Sequence, residues 1–389
     1  MYDFLEELLL STTEGESPQS FLYWSGLCVL SAVVKNNVCL NKYIYTLYPN
    51  IYVLLFAKSG LRKGVPINTA KRLVAMTNNT RVIAGRSSVQ GIIKELATAR
   101  CKPDGTVLKD ACGFIASSEF ASSLVQDPAA LTILTDLYDS NFNEEWTNML
   151  KGSPVEELKN INVTLLGGIN QAHFQDSVPD SALMGGFIGR TFIIYEEKKR
   201  CVNSLVYAPK KVPDFKEMAA YLKEVAKLKG EFKYTEAGGQ FYDQWYKTYN
   251  TQERDDKTGT LERIHDSILK VAMLISVSRK TDLTLDEIDL QEAVTQCMVA
   301  SSAVRRVTIA SGKSPAAPQI AMVLKELITR KTVTRMKLLQ CHYGDFDAID
   351  LDRIVETLIQ AGAVTSKKEG RDTLYEITQK ALDQLKTGD

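Results

Sequence analysis

The segment Ala57–Pro66, AKSGLRKGVP, is the first place in this sequence where residue types and spacing offer chemistry. It follows a short unbroken apolar run, NIYVLLFA at Asn50–Ala57, and leads into a helical pattern through Ile67–Met76. A buried strand ending in a glycine-containing loop with a lysine, then a helix, lets backbone N–H groups and the helix N-terminus hold a phosphate while the lysine reaches the outer phosphates. Against G-x-x-x-x-G-K-[ST], Lys63 takes the lysine place, Ala57 and Arg62 replace the glycines, and Gly64 replaces the magnesium-binding hydroxyl. Ser59, Gly60, Leu61, Arg62, Lys63 and Gly64 are therefore the expected cradle for a triphosphate. A surface turn rich in glycine and lysine is the competing reading.

Hydrolysis of a triphosphate also needs a group that activates water. A second apolar run, ACGFIASSEF at Ala111–Phe120, ends in Ser118-Glu119. Glu119 is the expected catalytic carboxylate and the remaining magnesium ligand, since Ser118 stands where an aspartate would hold the metal. A carboxylate favoured by a helix N-terminus is its plainer alternative. Asn170, at the end of NVTLLGGIN, has an amide that could orient the lytic water, or it is simply a turn former. Arg190 in GGFIGR could neutralise transition-state charge on a neighbouring subunit's nucleotide, or make an ordinary surface ion pair.

These residues need a scaffold, and the hydrophobic pattern supplies one. Residues 18–40 read as a helix followed by a strand or hairpin; strands follow at Asn50–Ala57, Thr80–Gly85, Ala111–Phe120, Asn162–Asn170 and Arg190–Glu197. Helical patterns lie between them, at SVQGIIKELATA and around Asp127–Asp139. Strands alternating with helices imply a mostly parallel sheet with both faces covered. CKPDGTVLKD, with Lys102 and Lys109, reads as a hairpin that could project lysines, or as a plain solvated turn.

Beyond Pro209–Pro213 residues 214–310 carry long amphipathic patterns, a helical bundle, before the small-residue linker Ser311–Pro318. Helices at 319–329, 336–340 and 350–361 and two short alternating runs around Glu369-Gly370 then follow the winged-helix order. The expected fold is α/β: a P-loop NTPase core at 46–213 with a mostly parallel sheet after a lead-in at 1–45, an α-helical lid at 214–312, and a winged-helix domain at 319–389. Lys367, Lys368 and Arg371 fall on the wing, where they would meet DNA phosphates; a solvated hairpin or a protein-docking wing competes.

Composition narrows the class. Lysine plus arginine equals aspartate plus glutamate at 47 each, so nucleic acid must be met by local patches rather than a global basic field. No apolar stretch approaches the ~18 residues of a membrane span, and the acidic start MYDFLEELLL lacks a basic n-region, so a cytoplasmic location is expected. Seven scattered cysteines without CxxC and three distant histidines exclude a recognisable zinc site or disulfide framework.

Together, YPNIYVLLFAKSGLRKG, FIASSEF, LYDSNF, NVTLLGGIN and GGFIGRTFIIY, with ERIHDSILKVAMLISV behind them, resemble a domain-of-unknown-function family of helicase-like P-loop ATPases. That family is encoded by phages, plasmids and prophages and often fused to primases. A more distant similarity is to AAA+ helicases of the minichromosome-maintenance type. The resemblance implies ATP and magnesium, with Lys63 binding nucleotide, Glu119 as catalytic acid, Asn170 as first sensor, Arg190 as arginine finger and Arg263 as second sensor; solvent-face pairs among Glu262, Arg263 and Asp266 on an amphipathic helix are the competing reading of Arg263. It also implies a homo-hexameric or other ring on single-stranded or forked DNA, with a primase or other replication protein as a further partner. The expected function is an ATP-dependent helicase or ring motor in replication of a mobile element or phage. Departures at Ala57, Arg62, Gly64 and Ser118 keep two rivals open: a nucleotide-gated initiator or loader with weak hydrolysis, and a non-enzymatic assembly protein.

Overall fold

The computed structural model describes residues 2–85, 88–101, 105, 107–120, 128–139, 145–148, 155–170, 186–203, 211–252, 258–308, 317–369 and 372–386. They form two compact units, Met1–Val304 and Arg305–Asp389.

The first unit is built on a five-stranded sheet: β1 (Tyr52–Ala57), β2 (Arg81–Ala84), β3 (Cys112–Ser117), β4 (Asn162–Asn170) and β5 (Thr191–Tyr195). The spatial order is β5-β1-β4-β3-β2 and every neighbouring pair is parallel. All six residues of β1 are buried, which is why it reads as an unbroken apolar run rather than an alternating one. Because all strands point one way, their C-terminal ends share one edge, where parallel α/β sheets place their ligands.

Helices cover the sheet. They are α1 (Phe4–Ser11), α2 (Gln19–Val34), α3 (Gly64–Thr77), α4 (Val89–Ala97), α5 (Pro128–Asp139), α6 (Phe215–Val225), α7 (Glu236–Asn250), α8 (Ile264–Arg279) and α9 (Glu287–Thr308). α2 is buried from Phe21 to Val34, apolar on all sides as a helix must be when packed between layers. It reaches the sheet through Ser31 Oγ, 2.7 Å from Thr164 Oγ1 on β4, and carries α1 on its other side. Gly26 permits that approach, because a Cβ there would stand 2.7 Å from Leu5 Cδ2. Helix starts are set locally: Ser88, Asp214 and Thr235 cap α4, α6 and α7 with side-chain oxygens, contacts typically worth about 1 kcal/mol each.

The helical segment expected as a lid is stitched into this unit rather than set apart from it. Gly230-Glu231 pairs in parallel with Val38-Cys39 of the expected N-terminal hairpin, and α8, buried from Ile268 to Ser278, belongs to the same core as α2 and β1. The 100–108 region is a hairpin, Arg100-Cys101 against Val107-Leu108. No helix among the described residues is long and apolar enough to cross a membrane.

The second unit contains α10 (Ala317–Arg330), β6 (Thr332–Thr334), α11 (Arg335–His342), α12 (Ala348–Gln360), β7 (Val364–Glu369), β8 (Asp372–Ile377) and α13 (Gln379–Lys386). β8 is the middle strand of an antiparallel sheet between β6 and β7. Thr334 and Asp347 cap α11 and α12, and Val323, Leu327, Leu338, Leu351 and Tyr375 sit in its core. β6 and α13 add to the elements expected from sequence. Lys102, Arg371 and most of the Ser311–Pro318 linker lie outside the described residues.

Candidate functional site

The loop after β1 is shaped by its own residues. Leu61 is buried and pins the loop to the core, leaving Ser59 and Gly60 exposed on either side of the turn. Gly60 takes φ +88, a left-handed value that glycine adopts without strain, and Arg62 takes φ 59. Left-handed Arg62 precedes right-handed Lys63 (φ −53), an alternation that turns successive N–H groups toward one concave side. α3 then starts at Gly64 with no side-chain cap and no acidic residue in its first turn; Val65 N–H donates to Arg62 O at 3.1 Å and Pro66 has no N–H, so Gly64 N–H is the donor its first three residues offer an anion.

The side chains divide the work. Arg62 turns away from the loop: its Nε donates to Glu16 Oε2 at 2.8 Å, and Lys199 donates to the same carboxylate at 2.9 Å. These two cations hold the Glu16 carboxyl below its ordinary range. Arg62 therefore offers the loop its backbone alone, and Leu61 does the same. Lys63 folds back, its ammonium donating to the carbonyl of Ala57, with a longer contact of 3.4 Å to Lys58 O. Partial burial lowers its pKa. A phosphate in the loop would take over those donors.

Two of the other sequence-predicted residues, Asn170 and Glu119, arrive at the same edge. Asn170 is the register partner of Ala57, so the amide at the end of β4 stands beside the strand end whose carbonyl Lys63 holds. Ser117 pairs with Gly167, and the Ser118-Glu119 turn runs on from there over β4. A Cβ on Gly168 would meet both Ser118 O at 2.6 Å and Ile67 Cδ1, in the first turn of α3, at 3.2 Å. The Glu119 turn and the helix that follows the phosphate loop thus both crowd the one Cβ position that Gly168 leaves empty. Glu119 itself is exposed, its N–H 3.4 Å from Ser117 Oγ.

A triphosphate fits these features: an uncapped helix start, a concave run of N–H groups, a retracted lysine, and, chain neighbours aside, nothing among the described residues within 4 Å of a Cβ position at Gly60 or Gly64. Magnesium binds through one or two carboxylates together with substrate phosphates and water; Glu119, just beyond β3, is one carboxylate at this edge, and Glu196 and Glu197, just beyond β5, are others. No group of three or more metal-binding side chains occurs among the described residues.

Arg190 and Arg263 stand elsewhere. Arg190 immediately precedes β5 and so lies at the N-terminal edge of the sheet, about 20 Å along the strands from the loop. Its Nε is 2.9 Å from both carboxylate oxygens of Asp139 at the end of α5. Arg263, at the start of α8, reaches the same edge, its Nη1 3.2 Å from a Cβ position on Gly189 and 3.4 Å from Gly259 O. Glycines 186, 189 and 259 make the seats for both guanidinium groups, since a Cβ at each would lie 3.2 Å or less from one of them. The chain does not bring either arginine to its own Lys63.

Between these arginines is a cavity of about 320 Å³ that sequence reasoning missed. Lys270 lines it, buried on α8, with Nζ 2.8 Å from Asn50 Oδ1 and 3.9 Å from the Tyr138 ring centre. Burial brings its pKa down to about 7, against the pull of Asp139 and Asp266. The available signal was one lysine inside the apolar run ILKVAMLISV.

In the second unit Lys367 and Lys368 are exposed on β7, opposite Leu374 and Thr373 of β8. Lys109 is exposed just after the 100–108 hairpin. Compared with known proteins, the chain matches no family model and no curated protein.

Proposed function

We propose that the chain is an ATP-dependent motor of the P-loop, AAA+-like kind that acts on DNA, a helicase or helicase-like ring motor. The observation that carries this reading is the convergence of three neighbouring strands: β1 delivers the Lys63 loop, β4 delivers Asn170, and β3 delivers Glu119, all at one sheet edge. In this reading backbone N–H groups of Ser59–Gly64 and the Lys63 ammonium bind the triphosphate. Glu119 accepts a proton from the attacking water, and Asn170 orients that water. Magnesium, when bound, neutralises charge between the outer phosphates.

The remoteness of Arg190 from its own loop supports action on a second copy's nucleotide, as a ring would require. Arg263, seated beside it, would act from the same side. The order of helices and antiparallel strands in the second unit supports a winged helix, with Lys367 and Lys368 set toward DNA phosphates. Gly64 and Ser118, which lack the usual metal-binding groups, favour a second reading, a nucleotide-gated loader or initiator that hydrolyses slowly.

ATP turnover measured with and without single-stranded DNA tests the choice. Stimulation by DNA, lost in Lys63→Ala and Glu119→Gln, is the expected result for a motor. ATP-dependent DNA retention without turnover would identify the loader, and turnover unchanged by both substitutions would refute the site.

A further inference from the structure

The cavity at the N-terminal sheet edge holds a cation that the motor chemistry above does not use. Lys270 is 6% exposed, and no carboxylate among the described residues forms an ion pair with it. The acids nearby are engaged: Asp139 holds Arg190, and Asp266 accepts from the Tyr45 hydroxyl at 3.0 Å and lies 3.6 Å from His265. An ammonium has three donors, and Asn50 Oδ1 takes one at short range. Burying such a charge without a counter-ion is costly, so its position on a cavity wall calls for an anion.

We propose that this cavity is a phosphate-binding site, with Lys270 at its floor and Arg263 and Arg190 at its rim. The three cations come from two elements: Arg190 from the turn before β5, and Arg263 and Lys270 from the start and the interior of α8. Donors converging from several directions suit a tetrahedral group with several oxygens, and guanidinium forks match phosphate oxygens in pairs. At about 320 Å³ the space exceeds what one carboxylate fills and accepts a phosphate chain. Arg190 joins by exchanging Asp139 for a phosphate oxygen. The proposal rests on the motor reading only for the source of the phosphate, which is either a free phosphate compound or the nucleotide held by a second copy's loop.

The free source is tested by calorimetric titration of inorganic pyrophosphate into the Lys63→Ala chain at pH 8, in two buffers of different ionisation heat. Binding with proton uptake is expected, because an anion in the cavity restores the charge on Lys270. Adding Lys270→Met should abolish the uptake and weaken binding about 10-fold or more. Arg263→Ala, on the exposed rim, should weaken binding with uptake retained, and melting curves establish that each variant is folded.

The second-copy source is tested by mixing Arg190→Ala chains with Lys63→Ala chains and measuring ATP turnover. Recovery that disappears when the Lys63→Ala chain also carries Lys270→Met assigns the cavity to the neighbour's nucleotide. Pyrophosphate binding indifferent to Lys270→Met and Arg263→Ala, or no binding at all, together with no Lys270-dependent recovery, overturns the proposal. Unchanged ATP affinity in Lys63→Ala would instead overturn the loop assignment, and the pyrophosphate titration would still read the cavity.

Discussion

A Cβ atom on Gly168 would lie 2.6 Å from the carbonyl oxygen of Ser118. The clash is with backbone, so the turn carrying Glu119 rests against β4 only because position 168 has no side chain. Gly168→Ala must push that turn outward, at a stability cost of about 1–3 kcal/mol. A shift of ~1 Å in a positioned catalytic group costs roughly 100-fold in rate. ATP turnover should therefore fall by about that factor while ATP affinity changes little. Wild-type turnover in this variant would remove Glu119 from the mechanism.

Gly64 presents the opposite case, since a Cβ there meets nothing within 4 Å. Gly64→Ser should fold at least as stably as the parent, by up to about 0.5 kcal/mol, because glycine is the poorer helix residue. It also supplies the hydroxyl that the loop pattern lacks. Titrating ATP with and without magnesium should show a larger magnesium effect on affinity in Gly64→Ser than in the parent chain. An unchanged effect would mean that the metal is not held at the start of α3.

Lys270 gives a pH signature in stability. Its pKa falls from 10.5 in the unfolded chain to about 7 when buried. The folded state therefore binds fewer protons than the unfolded state between those values, and stability rises with pH across that window. The penalty is full below pH 7 and gone near 10.5. Lys270→Met should raise stability by a few kcal/mol, on the order expected for a buried charge, at pH 6. The gain should shrink toward zero by pH 10. Denaturant melts across this range check it, and a pH-independent gain would contradict a buried titrating amine.

The five sheet strands were legible because buried parallel strands read as continuous apolar runs, and NIYVLLFA and NVTLLGGIN are of that kind. That Lys63, Glu119 and Asn170 share one edge was legible for the same reason: each lies at or shortly after the end of such a run, and parallel strands bring those ends together. Arg190 opens its strand rather than closing it, so in a parallel sheet it falls at the opposite edge; Arg263 reaches that edge through the tertiary packing of α8, which no local window contains. Lys270 was hidden because a lysine in an amphipathic pattern reads as a solvent-facing residue; α8 is instead covered on all sides by tertiary packing. β6 was missed because Thr332–Thr334 is a strand only through its partners Leu374–Glu376.

Placing Arg190 at the far edge predicts complementation. Arg190→Ala should abolish turnover but leave ATP affinity within about 3-fold, since the residue touches no nucleotide in its own chain. Mixed with Lys63→Ala, which is inactive for the other reason, it should recover part of the activity. An intact loop then meets an intact Arg190 at those mixed junctions where the Arg190→Ala chain supplies the loop. No recovery, in mixtures shown by sizing to associate, would contradict action between copies.

The most direct test of the central claim is whether ATP binds the native chain at Lys63. A ligand that binds only the folded state raises the melting temperature, and at 100 times its Kd the gain is about 2.7 kcal/mol. Saturating ATP should shift the melting curve of the parent chain upward by clearly more than that of Lys63→Ala. An equal shift in both chains, or none in the parent, would contradict a triphosphate cradle between Ser59 and Gly64.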